Sequence, residues 1–295
     1  MKNGIAYYHL PGLFEFYELY SLFLPLFHEH REYFYDWCSI GSIYGAPSGC
    51  AWGGGREGEQ EENIDNVLSL LEKYEISARL TFSNSLLKED HLTDKKCNAL
   101  CRSISLGKEE NGVIVHSDLL KNYLSKEYPE LYLISSTTKV LRDFSLFQKE
   151  LDDPSFRYVV PDFRLNHSFE KLFVLSDVEK QKVEFLCNEC CRYDCMVRKE
   201  CYESVSRHNL NMEDNFSCPA KQGYRFSSVM KNPGFIGIDE IHERYLPMGF
   251  SHFKIEGRGL GSALVLEFLL YYMVKPEYQL HVREEIYLDN MLDLF

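Results

Sequence analysis

The sequence predicts an α/β fold of the (β/α)8 type, a single-domain TIM barrel. Eight short apolar runs alternate with segments of helical periodicity, over the roughly 250 residues that such a barrel needs. A hydrophobic fraction of 45% in 295 residues suits one large core, and no internal repeat or low-complexity linker divides the chain. An open doubly wound sheet is the alternative. No GxGxxG follows the first apolar run, so the dinucleotide-binding form of that alternative has little support.

The predicted strands are short apolar runs followed by polar residues. In chain order they are residues 4–9, 36–44, 76–82, 112–115, 131–135, 157–161, 182–187 and 252–255. The predicted helices lie between the strands and carry apolar stripes at helical spacing. They are residues 14–31, 63–74, 119–127, 138–151 and 169–175. Cys97 and Cys101 lie one turn apart on a further helical segment.

The chain 1–295 is therefore predicted to be one barrel domain. Its longest connection, residues 188–234, follows the seventh strand and is rich in cysteine, and residues 262–295 are predicted to form a C-terminal helix and tail. In such barrels the chemistry takes place at the carboxyl ends of the strands. Polar residues recur at those ends, which favours a polar pocket there. They include Thr81, Ser83, Asn84, His116, Ser136, Thr137, Thr138, Asp162, Asn188 and Glu189.

Charge and targeting features limit the classes of partner. The net charge is −13 and no long Lys/Arg run occurs, so a broad nucleic-acid surface is disfavoured. The longest apolar run, residues 263–274, is too short to cross a bilayer, and the N-terminus lacks the pattern of a secretory signal. We therefore predict a cytoplasmic protein without a membrane partner. Structural disulfides are rare in that compartment, where clustered cysteines more often bind metal or carry out redox chemistry.

The cysteines are concentrated in one short segment. Five of the ten fall within fifteen residues and one more follows: Cys187, Cys190, Cys191, Cys195, Cys201 and then Cys218. Zinc favours paired Cys-x2-Cys knuckles, and only Cys187-x2-Cys190 has that spacing. Iron–sulfur clusters accept less regular spacing. Cys191-x3-Cys195, together with Cys218 and either Cys50 or Cys187, has the looser spacing that such a cluster accepts. Cys38, Cys97 and Cys101 are predicted to be buried free thiols.

The last predicted strand carries charges on one face. Lys254, Glu256 and Arg258 point the same way, because residues two apart in a strand share a face. Inside the barrel they form either an anion clamp for a carboxylate substrate or a buried ion network. After the second strand, three glycines at 53–55 followed by Arg56 allow the backbone to approach a ligand beside one guanidinium. The sequence has no G-x-S-x-G elbow or evident Ser/His/Asp order that would indicate a hydrolase.

Three segments resemble the collagenase-like peptidase family, peptidase family U-thirty-two. Residues 183–186 leading into Asn188-Glu189-x-Cys191-x3-Cys195 resemble its cysteine segment. Residues 253–258 resemble its closing K-I-E-G-R strand, and residues 159–166 resemble its V-L-S-R-E-L strand end. The resemblance implies a (β/α)8-type barrel. It also implies a relation to the members that are iron–sulfur proteins in oxygen-independent hydroxylation.

The resemblance further implies a set of cluster ligands. These are Cys50, Cys191 and Cys195 around a [4Fe–4S] cluster. We choose Cys218 as the fourth ligand, with Cys187 or Cys201 as its alternatives and zinc as the alternative metal. We predict that the substrate is a small carboxylate or aromatic molecule. The residues predicted to bind it are Arg56, Asn84, Lys254 and Arg258, and those predicted to transfer protons are Glu189 and Glu256.

Two further hypotheses remain open at this stage. The first is a peptidase or other hydrolase, as the family name suggests, which would keep its activity after iron is removed. The second is a non-catalytic, cluster-bearing subunit that works with a homologous barrel partner. Co-purification with a second barrel protein would favour it.

Overall fold

The structure of this protein, a computed structural model, describes residues 4–55, 63–218, 226–257 and 259–291. Eight parallel strands alternate with helices, so the predicted (β/α)8 barrel and all eight predicted strands are confirmed. The strands are β1 (Ala6–Pro11), β2 (Cys38–Gly45), β3 (Ser77–Phe82), β4 (Gly112–Val115), β5 (Tyr132–Ser135), β6 (Phe156–Val159), β7 (Glu184–Leu186) and β8 (His252–Lys254).

The barrel is nearly closed. Neighbouring strands pair in the order β6-β5-β4-β3-β2-β1-β8-β7. One parallel bridge between Val159 and Val183 joins the end of β6 to the residue before β7. Because the strands are parallel, their carboxyl ends lie at one rim, and the loops that follow them surround a single mouth.

Helices surround the barrel. They are α1 (Tyr17–Glu29), α2 (Ile64–Lys73), α3 (Lys95–Ser105), α4 (Asp118–Glu127), α5 (Phe144–Leu151), α6 (Phe169–Phe173), α7 (Asp177–Lys182), α8 (Arg198–Asn209), α9 (Phe226–Val229), α10 (Ile238–Glu240), α11 (Ser262–Met273) and α12 (Gln279–Met291). Within the described ranges, no helix has both the length and the apolar character needed to cross a membrane.

One predicted helix is shorter than the sequence suggested. Residues 138–151 were predicted as a single helix, but α5 begins only at Phe144. A 3-10 turn, Thr137–Lys139, precedes it and ends at Val140, whose φ of 53° lies in the left-handed region. That backbone conformation interrupts a right-handed helix, and Asp143 then caps α5 by accepting a hydrogen bond from the Ser145 amide.

The apolar core divides into two parts. The larger part fills the space between barrel and helices and contains the outward-facing strand residues, such as Leu80, Phe185 and Phe253. A smaller cluster lies inside the barrel near the mouth, formed by Tyr44, Ile114, Ile134, Val160 and Leu186. The rest of the barrel interior is polar, which is unusual because barrel interiors are commonly filled by branched apolar side chains.

Candidate functional site

A small cavity lined mainly by polar residues lies at the mouth of the barrel. Its volume is about 20 Å³, and its walls come from the ends of strands and from α8. The residues that line this mouth cavity are Thr81, Ser83, Ile114, Ser136, Thr137, Thr138, Tyr202, Lys254 and Glu256. The recurrence of polar residues at strand ends therefore predicted the residue types that line this cavity.

Three residues that line the mouth cavity have a buried hydroxyl without a protein partner in the described structure. Thr81 Oγ1, Ser83 Oγ and Thr137 Oγ1 are buried and make no hydrogen bond within the part of the chain that the structure describes. Thr138 differs, because its Oγ1 lies 3.0 Å from Ser136 Oγ and 2.8 Å from His116 Nδ1. Buried polar groups are almost always paired, so these three hydroxyls are exceptions within the described structure.

Helix α8, which belongs to the cysteine-rich connection, packs across the mouth. Asn84 Nδ2 donates hydrogen bonds to the Ser206 carbonyl at 3.1 Å and to the Ala51 carbonyl at 2.9 Å. The Ser85 amide donates to Ser206 Oγ at 3.1 Å. Tyr202, one turn earlier, reaches the cavity. Asn84, predicted to bind substrate, thus holds α8 in place with its side-chain amide.

A buried charge cluster lies below the mouth cavity. Glu184 Oε2 accepts a 2.5 Å hydrogen bond from Arg79 Nη1, and Glu184 Oε1 lies 3.4 Å from Lys254 Nζ. His9 Nε2 is 3.5 Å from the same carboxylate. Burial by itself would raise the pKa of Glu184, but the neighbouring His9, Arg79 and Lys254 lower it well below its ordinary value. Glu184 is therefore ionised and holds the two cations inside the barrel.

Lys254 and Glu256 share one face of the last strand, as predicted. Lys254 Nζ lies 3.8 Å from the centre of the Tyr44 ring as well as near Glu184. Lys254 therefore belongs to a buried ion network and also lines the mouth cavity. The backbone of Glu256 is fixed by Asn188, whose side chain accepts from the Glu256 amide at 2.7 Å and donates to its carbonyl at 3.0 Å. Arg56 and Arg258, predicted to bind substrate, lie outside the described residues.

Cys191 and Cys195 are neighbours beside the mouth. Burial raises the pKa of the Cys191 thiol to about 11, and the nearby charges of Glu189 and Cys195 act in the same direction. Arg198 lies against Cys191 and acts in the opposite direction. The cysteine backbone is anchored on both sides: the Asn232 side chain donates to the Cys191 carbonyl at 2.9 Å, and Arg164 donates to the Cys195 carbonyl at 3.0 Å.

Arg198 is the centre of this second charge group. Its Nη2 donates to Glu189 and, at 2.8 Å, to the Tyr202 hydroxyl, while its Nε lies 3.6 Å from Asp162. Arg198 Nε and Nη1 have no hydrogen-bond partner among the residues that are described, although the side chain is only 2% exposed. Glu189, predicted to transfer protons, is paired with Arg198 and also accepts from the Cys191 amide at 2.9 Å.

The other cysteines lie in different surroundings. Cys50 is fully buried, and its thiol hydrogen-bonds Cys97 on α3, which raises the pKa of the Cys97 thiol. Cys38, Cys97 and Cys101 are buried free thiols, as predicted. Cys218 is partly exposed and borders residues 219–225, which lie outside the description. In the described ranges, no three His, Cys, Asp or Glu side chains form a group that could hold a metal ion.

A larger cavity lies at the opposite, amino-terminal end of the barrel. Its volume is about 470 Å³. His9 Nε2 and His252 Nδ1 are 3.2 Å apart there, and Tyr7 stacks on His252 with ring centres 5.5 Å apart. Burial lowers the pKa of the His252 imidazole to about 4, so this ring is neutral at neutral pH. The sequence analysis did not single out this cavity, because barrel chemistry was expected at the other rim.

Sequence reasoning missed His9 and Glu184, which meet their partners only in the closed barrel. It noted Arg79 at a strand end and Arg198 in the long connection, but it gave neither residue a role. The available signal was a charged residue within an apolar run, as in Glu184 between Val183 and Phe185. Such a residue indicates a charge facing the barrel interior, but it does not identify the partner.

Comparison with known proteins supports the fold. The solved structure of the U32 peptidase Mk0906 is similar to this chain with a TM-score of 0.52 and 12% sequence identity, over 87% of this chain and 94% of that chain. At this identity the similarity shows a shared barrel fold alone. No protein-family model and no curated protein matches the sequence.

Proposed function

We propose that this protein binds a metal centre, a [4Fe–4S] cluster, through Cys191 and Cys195 beside the mouth of the barrel. We further propose that it acts in an oxygen-independent modification of a small carboxylate or aromatic substrate at that mouth. The observation that carries the proposal is that the Cys191 thiol lies next to both Cys195 and the buried Arg198, whose Nε and Nη1 have no hydrogen-bond partner among the described residues. The resemblance to family U-thirty-two supplies the kind of cluster and reaction.

The donor set fits a thiolate-bound metal in two respects. Cys191-x3-Cys195 places two sulfur ligands within one short turn, where the Cys195 amide donates to the Arg192 carbonyl at 3.1 Å. The guanidinium of Arg198 offers N–H donors and a positive charge to thiolate sulfur. Hydrogen bonds to metal-bound sulfur stabilise the thiolate form and tune the metal centre. A buried arginine with unused donors is otherwise costly.

Cys50 and Cys218 are the remaining ligands of the proposed set. Cys218 stays our choice for the fourth ligand, with Cys201 on α8 as a further thiol of this region. Cys50 belongs to the set that the resemblance implies, but its hydrogen bond with Cys97 places it in a different environment from Cys191. Replacement of Cys50 therefore tests the ligand set most sharply. Zinc bound by the same thiols is the alternative metal.

In this proposal the cluster, when bound, supplies electron transfer or Lewis-acid chemistry. The residues of the chain bind and orient the substrate. Lys254 would face the anionic group of the substrate, and Glu256, which lines the same cavity, and Glu189 are the candidates for proton transfer. Helix α8 would exclude water from the mouth.

A peptidase or other hydrolase is the second candidate, and the barrel shared with a U32 peptidase is the observation that favours it. It requires a nucleophile with an adjacent base, or a water activated in another way. Activity against peptides that survives complete removal of iron would support this candidate against the cluster enzyme.

The test is purification without oxygen, followed by visible absorption and by iron, sulfide and zinc analysis. We expect a brown protein with iron and sulfide in equal amounts. Cys191→Ser and Cys195→Ser should each abolish the colour, whereas Cys38→Ala, at a buried thiol in β2, should retain it. A colourless protein that contains zinc would show that zinc, the alternative metal, occupies the site in place of the cluster. A correctly folded protein with neither metal would refute the proposal.

A further inference from the structure

We infer that the amino-terminal cavity, at the end of the barrel opposite the mouth, binds a small uncharged aromatic carboxamide. The ring of this ligand lies against Tyr7, and its carboxamide oxygen accepts a hydrogen bond from Arg79. The inference goes beyond the proposed function, because it concerns a different cavity and gives the cysteines no role. It assigns to the protein a second ligand site, separate from the metal centre proposed beside the mouth.

The first argument is the size of the amino-terminal cavity. Its volume of about 470 Å³ falls in the range of about 300–1,000 Å³ that is typical of small-molecule sites. Glu75, Ser77 and Arg79 line it and share one side of the chain, because residues two apart in a strand point the same way. At about 3.3 Å per residue, the exposed Glu75 and the buried Arg79 are roughly 13 Å apart along the chain. A substituted six-membered ring fits in that depth.

The second argument is a free donor on a buried side chain. Arg79 is only 1% exposed, and two of its three nitrogens are engaged. Nε donates to the Tyr132 hydroxyl at 2.8 Å, and Nη1 donates to Glu184 at 2.5 Å. Nη2 makes no hydrogen bond to any residue that the structure describes, and unlike Nε and Nη1 of Arg198 it is not completely enclosed by protein. Because Arg79 lines the cavity, Nη2 can donate to a ligand oxygen there.

The third argument is an aromatic wall with an open ring. Tyr7 lies on a barrel strand and lines the cavity, yet it is 38% exposed. It stacks on His252 with ring centres 5.5 Å apart, and the ring centre of Tyr158 lies 4.5 Å from that of His252. Burial lowers the pKa of His252 to about 4, so the wall is uncharged at neutral pH. A planar ring that stacks on Tyr7 would extend this wall.

Charges at the opening disfavour an anionic ligand. The charged residues that line the cavity are three carboxylates and two guanidinium groups, on Glu75, Glu109, Glu110, Arg79 and Arg157. Arg157 pairs with Glu110 at 2.5 Å. Glu75 and Glu109 form no ion pair with any residue in the described part of the chain. The opening therefore carries an excess of negative charge, which repels an approaching anion.

The floor of the cavity leads to the same conclusion. Arg79 is already paired with the ionised Glu184 behind it. Lys254, the other cation near Glu184, lines the mouth cavity together with Glu256. A ligand carboxylate at Arg79 would come close to Glu184, and these two negative charges would repel each other. The neutral oxygen of a carboxamide accepts from Nη2 without that repulsion.

Tyr158 accounts for the nitrogen of the carboxamide. Its hydroxyl makes no hydrogen bond within the residues that the structure describes, and its ring centre lies 4.7 Å from the guanidinium carbon of Arg79. A phenol can accept a hydrogen bond as well as donate one. The carboxamide N–H would donate to this hydroxyl while the carboxamide oxygen accepts from Arg79. An ester has no N–H group and makes only the second contact.

The experiment is a titration followed by saturation-transfer NMR near neutral pH, with three compounds that share a pyridine ring. Nicotinamide carries the neutral carboxamide, nicotinate carries a carboxylate in its place, and 3-methylpyridine carries neither group. We expect saturable binding of nicotinamide. Nicotinate, which is repelled, and 3-methylpyridine, which lacks the hydrogen bonds, should each bind about tenfold more weakly.

Tyr7→Leu locates the site. The variant removes the ring on which the ligand stacks, and should weaken nicotinamide binding by about fivefold, the effect of one aromatic contact. Tyr193→Leu is the matched control. Tyr193 is 39% exposed, as Tyr7 is 38% exposed, but it lies in the long connection that follows β7, and its replacement should leave nicotinamide binding unchanged.

Tyr158→Phe separates a binding role from a structural one. The hydroxyl that it removes has no hydrogen bond to lose within the described structure, so Tm should stay the same. Nicotinamide should bind about tenfold more weakly to this variant, whereas 3-methylpyridine should bind as before. Equal weakening of both compounds, or a lower Tm with the affinities intact, would assign Tyr158 a purely structural role and contradict the carboxamide contact.

The inference is overturned if nicotinamide does not bind, if nicotinate binds as tightly, or if folded Tyr7→Leu keeps the full affinity. Cys191→Ser separates this result from the proposed function. That variant should lose metal and keep nicotinamide binding, because the two sites lie at opposite ends of the barrel. A loss of nicotinamide binding in Cys191→Ser would place the ligand at the mouth and refute the assignment to the amino-terminal cavity.

Discussion

Arg79 on β3 donates a 2.5 Å hydrogen bond to Glu184 on β7, across the interior of the barrel. The two residues are 105 positions apart in the chain, and both side chains are inaccessible to solvent. Tyr132 supports the arrangement, because its hydroxyl accepts from Arg79 Nε at 2.8 Å. Ion pairs replace part of the apolar packing that usually fills a barrel, so their removal has consequences for stability.

Glu184→Gln should strongly destabilise the fold. The substitution removes the counter-charge of the buried Arg79, and breaking a buried pair in this way costs about 3–5 kcal/mol. Urea unfolding measures the difference. Glu110→Gln is the control, because Glu110 pairs with Arg157 on the surface, where such a pair contributes about 0–1 kcal/mol. Equal losses in the two variants would contradict the assignment of Glu184 as the central charge.

Stability should fall as the pH is lowered from 6.5 toward 4. Burial lowers the pKa of His252 and of His116 from 6.5 to about 4, so in this window the unfolded chain binds more protons than the folded one. The stability that each imidazole contributes by staying neutral is fully present above pH 6.5. As the pH falls below 6.5, the free energy of unfolding decreases by up to about 1.4 kcal/mol per pH unit for each imidazole.

Urea unfolding measured across that range tests this expectation. His252→Gln should reduce the slope of unfolding free energy against pH. His208→Gln, at an exposed position on α8, should leave the slope as it is. A slope that does not change in His252→Gln would show that other groups cause the pH dependence.

Asn84→Ala should loosen α8 from the mouth. The variant removes both hydrogen bonds from the side-chain amide, to the carbonyls of Ser206 and Ala51, at an expected cost of about 1–3 kcal/mol. Hydrogen exchange of the α8 amides should become faster. Asn63→Ala, which removes the N-cap of α2, should lower stability by about 1 kcal/mol without accelerating exchange in α8. Faster exchange in both variants would indicate a general loss of stability instead.

Gly112→Ala should destabilise the barrel through overpacking. A β-carbon at Gly112 would lie 2.4 Å from the Tyr132 ring, so the ring would have to move, at a cost of about 1–3 kcal/mol. Gly4→Ala is the control, because the nearest atom there would be at 3.5 Å, an ordinary contact. Thermal unfolding compares the two. A Tm of Gly112→Ala at the level of the native protein would mean that Tyr132 is not fixed over Gly112.

The strands were predictable because each one buries an apolar run that is short and interrupted by polar residues. The same logic placed Lys254 and Glu256 on one face of β8, since the side-chain period of a strand is fixed. The helix at residues 138–151 was predicted too long, because the left-handed conformation of Val140 has no signature in the residue type. Asn84 was recognised as polar and near the mouth, but its bond to α8 depends on how a distant connection packs.

The sequence alone determined the barrel, the polar rim and the concentration of thiols after the seventh strand, because periodicity and composition act over a few residues at a time. The tertiary structure decided which groups meet: Glu184 with Arg79 and Lys254, Cys191 with Arg198, and Cys50 with Cys97. The Glu184 pairings follow from the closure of the sheet, and the Cys50 pairing follows from the packing of α3. Both bring together residues far apart in the chain, and no local pattern encodes them. Cys191 and Arg198 are close in sequence, but their contact depends on the path of the connection between them.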